Sequence, residues 1–239
     1  MNATLPDIKV FVDCADFGGI RKAMELPYTK GFTTNPSLIA KTGEQDYAAY
    51  ARQVLELAAG LPVSFEVLSD TAGDMEREAR IIHSWGRNVY VKVPVVDSSG
   101  ASMGPLIRKL SGEGIPLNVT CVFTLGQARA AAAALAADVP AIVSVFAGRI
   151  ADVGIDPVPL VTGCCTLFRS MPRTELLWAS TREIYNLWQA AGAGCHIITA
   201  PLSMVERLQY VGTSPEALSI EAVAAFLRDA GKAGVYFKQ

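Results

Sequence analysis

A lysine set inside an apolar run opens the chemistry of this chain. Lys92 stands in Val89-Tyr90-Val91-Lys92-Val93-Pro94-Val95. An ammonium buried in such a run is costly unless it is paired or neutral. Burial lowers an amine's proton affinity, and a neutral amine attacks carbonyl carbons. Lys92 therefore reads either as a Schiff-base lysine or as an outward lysine whose stem lies along a sheet rim. Asp13 and Glu66 shift the balance to the first, because each ends an apolar run of its own. An imine cycle needs proton transfer for carbinolamine dehydration and for carbon–carbon cleavage, and two carboxylates near one lysine would supply it. A static ion pair is the other use of the same charges.

The remaining polar groups recur with a period. From Asp13 the steps to Asn35, Glu66, Lys92, Thr120 and Ser144 are 22, 31, 26, 28 and 24 residues. Each is close to one strand-plus-helix unit, so groups at the same end of successive strands would converge on one pocket. Thr33, Thr34 and Asn118 fall at strand ends as well. Arg149 and Arg182 follow the sixth and seventh strands, where barrels of this kind often bind phosphate. Two guanidiniums suit a phosphate dianion through charge-assisted, often bidentate hydrogen bonds; surface solvation or a salt bridge is the alternative. Asn35 and Asn118 are suited to holding hydroxyls, although Asn35-Pro36 also suits a turn before a helix. Phe146 reads as packing. His83 reads as a surface or half-buried helix residue, and His196 as structural, at the opposite strand end from the pocket. Cys14 is not read as a nucleophile, since no histidine is placed to activate it.

The elements that must position these groups alternate regularly. Strand-like runs cover Ile8–Val12, Tyr28–Thr34, Leu61–Val67, Asn88–Val95, Ile115–Phe123, Val139–Gly148, Thr174–Ser180 and Cys195–Pro201. Helical stretches are expected at Phe17–Leu26, Asp46–Ala59, Ala72–Trp85 (capped by Asp70 or Thr71), Leu125–Ala137, Met204–Tyr210 and Ile220–Ala230. Eight units in 239 residues average about 30 residues each, as one strand, one helix and two short loops require. Strands alternating with helices imply a parallel sheet, and eight such units a single-domain (β/α)8 TIM barrel spanning residues 1–239. A doubly wound open sheet would want a GxGxxG turn after the first strand, where this chain has DCADFGG. The tail from about Ala230 to Gln239 reads as an arm, with Tyr236 and Phe237 available to pack on a neighbouring subunit or simply to fray.

Composition narrows the classes. The chain is 51% hydrophobic and 18% charged, with 21 basic and 23 acidic residues and a net charge of −2. That balance argues against nucleic-acid binding and against disorder. No apolar run approaches the roughly 18 residues of a membrane span, and the MNATLPDIKV start predicts no signal peptide. Five cysteines and two histidines without CxxC spacing predict reduced cytoplasmic thiols and no metal site.

From about Val10 to Tyr210 the sequence resembles the transaldolase family, and in size its small members, which include fructose-6-phosphate aldolase. The resemblance is carried by FVDCAD, GFTTNPSLIAKTG, SFEV, VYVKVPV, LNVTCVFT, IVSVFAGRI, WASTR and AGCHIITAPLSMVERL. It implies a class I aldolase barrel that acts on sugar phosphates in carbohydrate metabolism of the pentose phosphate type, without metal or organic cofactor. Lys92 would form the Schiff base. Glu66 would manage dehydration protons through a water held with Thr120, and Asp13 would take the C4 hydroxyl proton. Asn35, Asn118 and Ser144 would hold the dihydroxyacetone hydroxyls. Arg149 and Arg182, assisted by Ser180, would hold phosphate. The free-aldolase branch typically has Gln and Tyr where this chain has Glu66 and Phe146, so the pair resembles the transferase arrangement. Cys14, Val145, the segment Val158–Pro172 and the last thirty residues depart from the family pattern, leaving an unusual sugar substrate open. The resemblance also implies a homo-oligomer, up to a decamer.

Overall fold

The computed structural model describes residues 4–234. Eight strands, β1 (Lys9–Asp13), β2 (Thr29–Thr33), β3 (Val63–Glu66), β4 (Val89–Pro94), β5 (Leu117–Val122), β6 (Ala141–Val145), β7 (Thr174–Trp178) and β8 (Ile197–Pro201), close in sequence order into a parallel barrel. The helices are α1 (Phe17–Glu25), α2 (Pro36–Thr42), α3 (Tyr47–Leu57), α4 (Ala72–His83), α5 (Gly104–Gly112), α6 (Leu125–Ala134), α7 (Ala147–Asp152), α8 (Val158–Phe168), α9 (Asn186–Ala193), α10 (Leu202–Val205) and α11 (Pro215–Ala233). The chain is thus the single-domain (β/α)8 barrel that the alternation of elements implies.

The strands are short, nearly continuous apolar runs because both their faces are buried. Their outward side chains pack on the helices in one large core, with Phe32, Phe65, Leu176 and Trp178 among its members. Inside the barrel a smaller cluster of Phe11, Ile142, Leu177, Ala179 and Ile197 plugs the lumen. Gly31 makes room for that plug, since a Cβ there would stand 2.6 Å from the Phe11 ring. Polar caps start the helices: Asp16, Asn35, Asp46, Thr71, Thr124 and Ser214 each accept a backbone N–H of the first turn.

Several boundaries differ from the sequence expectation. Seven strands are one to three residues shorter at one or both ends, and β1 keeps its length but lies one residue further on, taking in Asp13. Helix α6 stops at Ala134 because Leu135 turns extended. The span Met204–Tyr210 divides between the end of α10 and a 3-10 turn. Helix α11 begins at Pro215 rather than Ile220, set by the Ser214 cap and a proline in its first turn. It also runs through Ala233, so the arm does not begin at Ala230; Tyr236 and Phe237 lie outside the described residues. Among the described residues no helix is long and apolar enough to cross a membrane.

Candidate active site

Parallel register brings the charged groups together. Glu66 pairs with Lys92, Lys92 with Asn118 and Pro94 with Thr120 across β3, β4 and β5. On the other side Asp13 pairs with Thr33 across β1 and β2. The carboxyl ends of all eight strands therefore open onto one cavity of about 410 Å3. Ten of the eleven residues singled out in the sequence line it: Asp13, Asn35, Glu66, Lys92, Thr120, Ser144, Phe146, Arg149, Ser180 and Arg182. Asn118 does not. It is fully buried below the cavity floor, where its amide donates to Ser64 Oγ at 3.0 Å and accepts from Ser144 Oγ at 2.7 Å.

Lys92 points inward rather than along the rim, and is buried. Its Nζ stands 3.0 Å from Glu66 Oε2 and donates to the Thr34 carbonyl oxygen at 2.8 Å. The ammonium is thus compensated rather than orphaned, which makes its burial tolerable. Asp13 accepts from Thr33 Oγ1 at 2.9 Å and, at the limit of reach, from Asn35 Nδ2 at 3.5 Å. Burial pushes its carboxyl above the ordinary carboxylate range, while the Lys92 charge and the two donors pull against that rise. The Thr120 hydroxyl is buried in the cavity wall without a partner among the described residues, so a water or substrate oxygen would satisfy it.

The far wall is cationic. Arg149 lies over the Phe146 ring, 5.4 Å from its centroid, and that ring packs on Phe123. Arg182 is half-exposed and engages both oxygens of Asp152, with Nε at 3.0 and 3.1 Å and Nη2 closer still. Ser180 adopts a left-handed backbone conformation, φ +64°. Its carbonyl oxygen would stand 1.5 Å from a Cβ at Gly148, so the ends of β6 and β7 touch only because residue 148 is glycine.

Some site residues carried no signal in the sequence. Thr199 on β8 shares a 2.6 Å hydrogen bond with Thr33; since Thr33 donates to Asp13, the Thr199 hydroxyl is the donor between them. Cys121 lines the cavity because a bulge in β5, with φ +59°, turns it inward. Burial and the Glu66 charge push its thiol up. Tyr47 on α3 clamps Glu66 from outside the barrel: its hydroxyl donates to the Glu66 carbonyl at 3.1 Å and accepts the Glu66 N–H at 3.0 Å. Tyr50, one turn on, donates to the carbonyl of Ala15 at 2.8 Å. Cys14 is buried against Asp16 and its thiol is pushed up to about 12, chiefly by burial, in keeping with its exclusion as a nucleophile. His196 accepts the Leu176 N–H at 3.1 Å at the other barrel end. Among the described residues no group of three or more His, Cys, Asp or Glu side chains is arranged to hold a metal ion.

A parallel eight-stranded barrel with a buried, carboxylate-paired lysine at its mouth is the class of protein that fold and site define. The family model for Transaldolase/Fructose-6-phosphate aldolase matches residues 10–239, and the chain belongs to that family. A protein named "Probable transaldolase" from Herpetosiphon aurantiacus is 36% identical over 202 residues, covering 84% of this chain and 87% of its own. One of the same name from Thermoplasma volcanium is 37% identical over 204 residues, with the same coverage. A third, from Sorangium cellulosum, is 37% identical over 226 residues, 94% of this chain and 98% of its own. Solved barrels share the fold at low identity. Dihydrodipicolinate synthase from Thermotoga maritima superposes with a TM-score of 0.62 at 14% identity, over 89% of this chain and 76% of that one. KGPDC from Streptococcus mutans gives 0.57 at 12%, over 85% and 91%.

Proposed function

We propose that this enzyme is a transaldolase that transfers a dihydroxyacetone unit from a ketose phosphate, of the fructose 6-phosphate or sedoheptulose 7-phosphate type, to an aldose phosphate. The observation that carries the reading is the buried Lys92 ammonium 3.0 Å from the Glu66 carboxylate, in one cavity with Asp13. Glu66 takes a proton from Lys92, and the free amine adds to the C2 carbonyl. Glu66 returns that proton to the departing hydroxyl, giving water and an iminium. The orphan Thr120 hydroxyl supports a role in holding this water. Asp13 accepts the C4 hydroxyl proton as the C3–C4 bond breaks. The bonding pair becomes the enamine on Lys92, and an aldose phosphate leaves. The second aldehyde then accepts the enamine carbon, Asp13 returns its proton to the new alkoxide, and hydrolysis frees the product ketose.

Asn35 and Ser144 hold the hydroxyls of the three-carbon unit, with Asn118 acting beneath them by orienting Ser144. Arg149, Arg182 and Ser180 hold phosphate. Phe146 supports transfer over release of free dihydroxyacetone: it carries no hydroxyl to protonate the enamine, and its ring sits under Arg149. The reaction needs no cofactor. The same reading includes a cytoplasmic setting, a place in pentose phosphate metabolism and a homo-oligomer.

The test is borohydride trapping with fructose 6-phosphate, read by intact and peptide mass spectrometry. A three-carbon adduct on Lys92, absent from Lys92→Ala, is the expected result. Transfer to an added aldose phosphate faster than release of free dihydroxyacetone selects the transferase over the aldolase. No adduct from folded protein with any of a panel of ketose phosphates, unusual sugars included, overturns the imine mechanism.

A further inference from the structure

The segment Val158–Pro172, which departs from the family pattern, folds as helix α8 and brings a thiol to a place the reaction does not use. Cys165 on α8 and Cys195, just before β8, have their sulfurs 4.0 Å apart, 30 residues apart in sequence. They sit at the amino end of the barrel, opposite the Lys92 cavity. A second cavity of about 480 Å3 opens there, lined by Cys165, Arg169, Met171, Thr174, Gly194 and His196. Cys195 is buried behind Cys165 and does not line it. Cys164, next in sequence, is fully buried in the outer core. Gly194, in a left-handed cap with φ +91°, sets Cys195 in place; a Cβ on it would stand 3.5 Å from Cys165 Cβ.

We propose that Cys165 and Cys195 form a thiol modification site that closes reversibly to a disulfide when a small disulfide oxidant enters this cavity. Three observations converge on it. The sulfurs are already in contact, so the bond needs about 2 Å of approach rather than a rearrangement. One thiol faces the cavity and the other waits behind it, as attacking and resolving sulfurs must. The Cys195 side chain directed at Cys165 holds the Cys165 thiol below its usual range, while that pairing and then burial push Cys195 up. Arg169 and His196 on the cavity wall favour an anionic oxidant. His196 Nδ1 accepts a backbone N–H, so its proton sits on Nε2.

The step balances. The Cys165 thiolate attacks one sulfur of the oxidant, whose S–S bond breaks, and one small thiolate leaves with the Cys165 proton. Cys195 then gives up its proton and attacks Cys165 Sγ. The Cys165–Cys195 bond forms, the second small thiol leaves with that proton, and two electrons have passed to the oxidant. The closed loop contains β7, Ser180 and Arg182. Its closure constrains the unfolded chain and raises the melting temperature by on the order of 5–10 °C, leaving the distant lysine site untouched. A reversible bond of this kind suits an otherwise reducing compartment, where such disulfides act as sensors.

The experiment incubates the full chain with oxidised glutathione. The intact mass should fall by two hydrogens with no glutathione retained, and return on dithiothreitol. The tryptic peptides Ile150–Arg169 and Glu183–Arg207 should appear linked, and fragmentation should place the bond at Cys165 without any substitution. The melting rise should vanish in Cys165→Ser and in Cys195→Ser and persist in Cys164→Ser. A bond at Cys164, a glutathione adduct on Cys165 that Cys195 never resolves, or thiols inert in the folded protein would each overturn the proposal. Trapping at Lys92 is read separately, so either result stands whatever the outcome of the other.

Discussion

At the scale of single residues, the site is governed by where its protons sit. Asp13 must be a carboxylate to accept a proton, yet burial holds its carboxyl above the ordinary range. Activity should therefore fall as pH drops through that raised value, an acid limb of kcat/KM lying above the pH where an exposed aspartate titrates. The Thr33 hydrogen bond favours the charged form. Its loss in Thr33→Val raises the carboxyl further, and the acid limb moves to higher pH. Thr199→Val, which removes the donor to Thr33, moves it the same way by less. A profile unmoved by either change would remove Asp13 from the proton-transfer step. Asp13→Asn should lower kcat by about 10²–10⁴-fold at every pH. The same shift has a stability sign. A carboxyl with a raised folded value favours the fold below its unfolded value and costs stability once pH passes the folded one. Asp13→Asn should therefore melt no lower than the wild type at neutral pH, by differential scanning calorimetry, despite its lost activity.

At the scale of elements, the clamps outside the cavity decide how rigidly the groups inside it are held. Tyr47 satisfies both backbone groups of Glu66 from α3. Tyr47→Phe leaves them unpaired, which should cost about 1–3 kcal/mol in urea unfolding and slow dehydration more than substrate binding, a lower kcat at near-constant KM. Gly148→Ala presses a methyl into the Ser180 carbonyl, against backbone that cannot swing away. It should cost about 1–3 kcal/mol and raise KM for phosphorylated substrates above that for unphosphorylated ones, because the Arg149 and Ser180 ends move apart. Neither clamp shows in the sequence as a site. Tyr47 sits on a helix with ordinary amphipathic spacing. The strand-end groups were legible because parallel strands impose one phase on them, and register then did the rest for Glu66 and Lys92. Asn118 shared that phase but fell one layer deeper, a difference of register that spacing alone does not resolve. Cys121 was hidden for the converse reason: a bulge in β5 changes which residue faces inward, and no glycine marks it. Helices α5, α7, α8 and α9 are not legible in the sequence because none starts on a side-chain cap, and α8 in particular is apolar nearly all round; α2 is marked there only by Asn35-Pro36 as a turn before a helix, and Asn35 is its cap.

At the scale of the whole molecule, one element stands apart from the barrel. Helix α11 has 19 residues and none is buried. A helix of that length is marginal in water unless tertiary packing holds one face. Its Ile220, Val223, Phe226 and Leu227 lie within one stripe at helical spacing, while Glu221, Arg228, Asp229 and Lys232 occupy the other side. Phe226 and Ile220 are each 73% exposed. An apolar stripe of that size, rimmed by charge, is the signature of a protein–protein contact. Within the proposed homo-oligomer the occupant is a second copy of this chain, and the helix, leaving the barrel after β8, is free to reach it. The full chain should then sediment as an oligomer at micromolar concentration, and its melting temperature should rise with protein concentration. The double change Val223→Asp and Phe226→Asp should yield a monomer that keeps the barrel's circular dichroism and a lysine trappable by borohydride, since the cavity is built from strands of one protomer. A wild-type chain that sediments as a monomer across that range would leave α11 without this role. Loss of trapping in a folded monomer would instead mean that a neighbouring subunit completes the site.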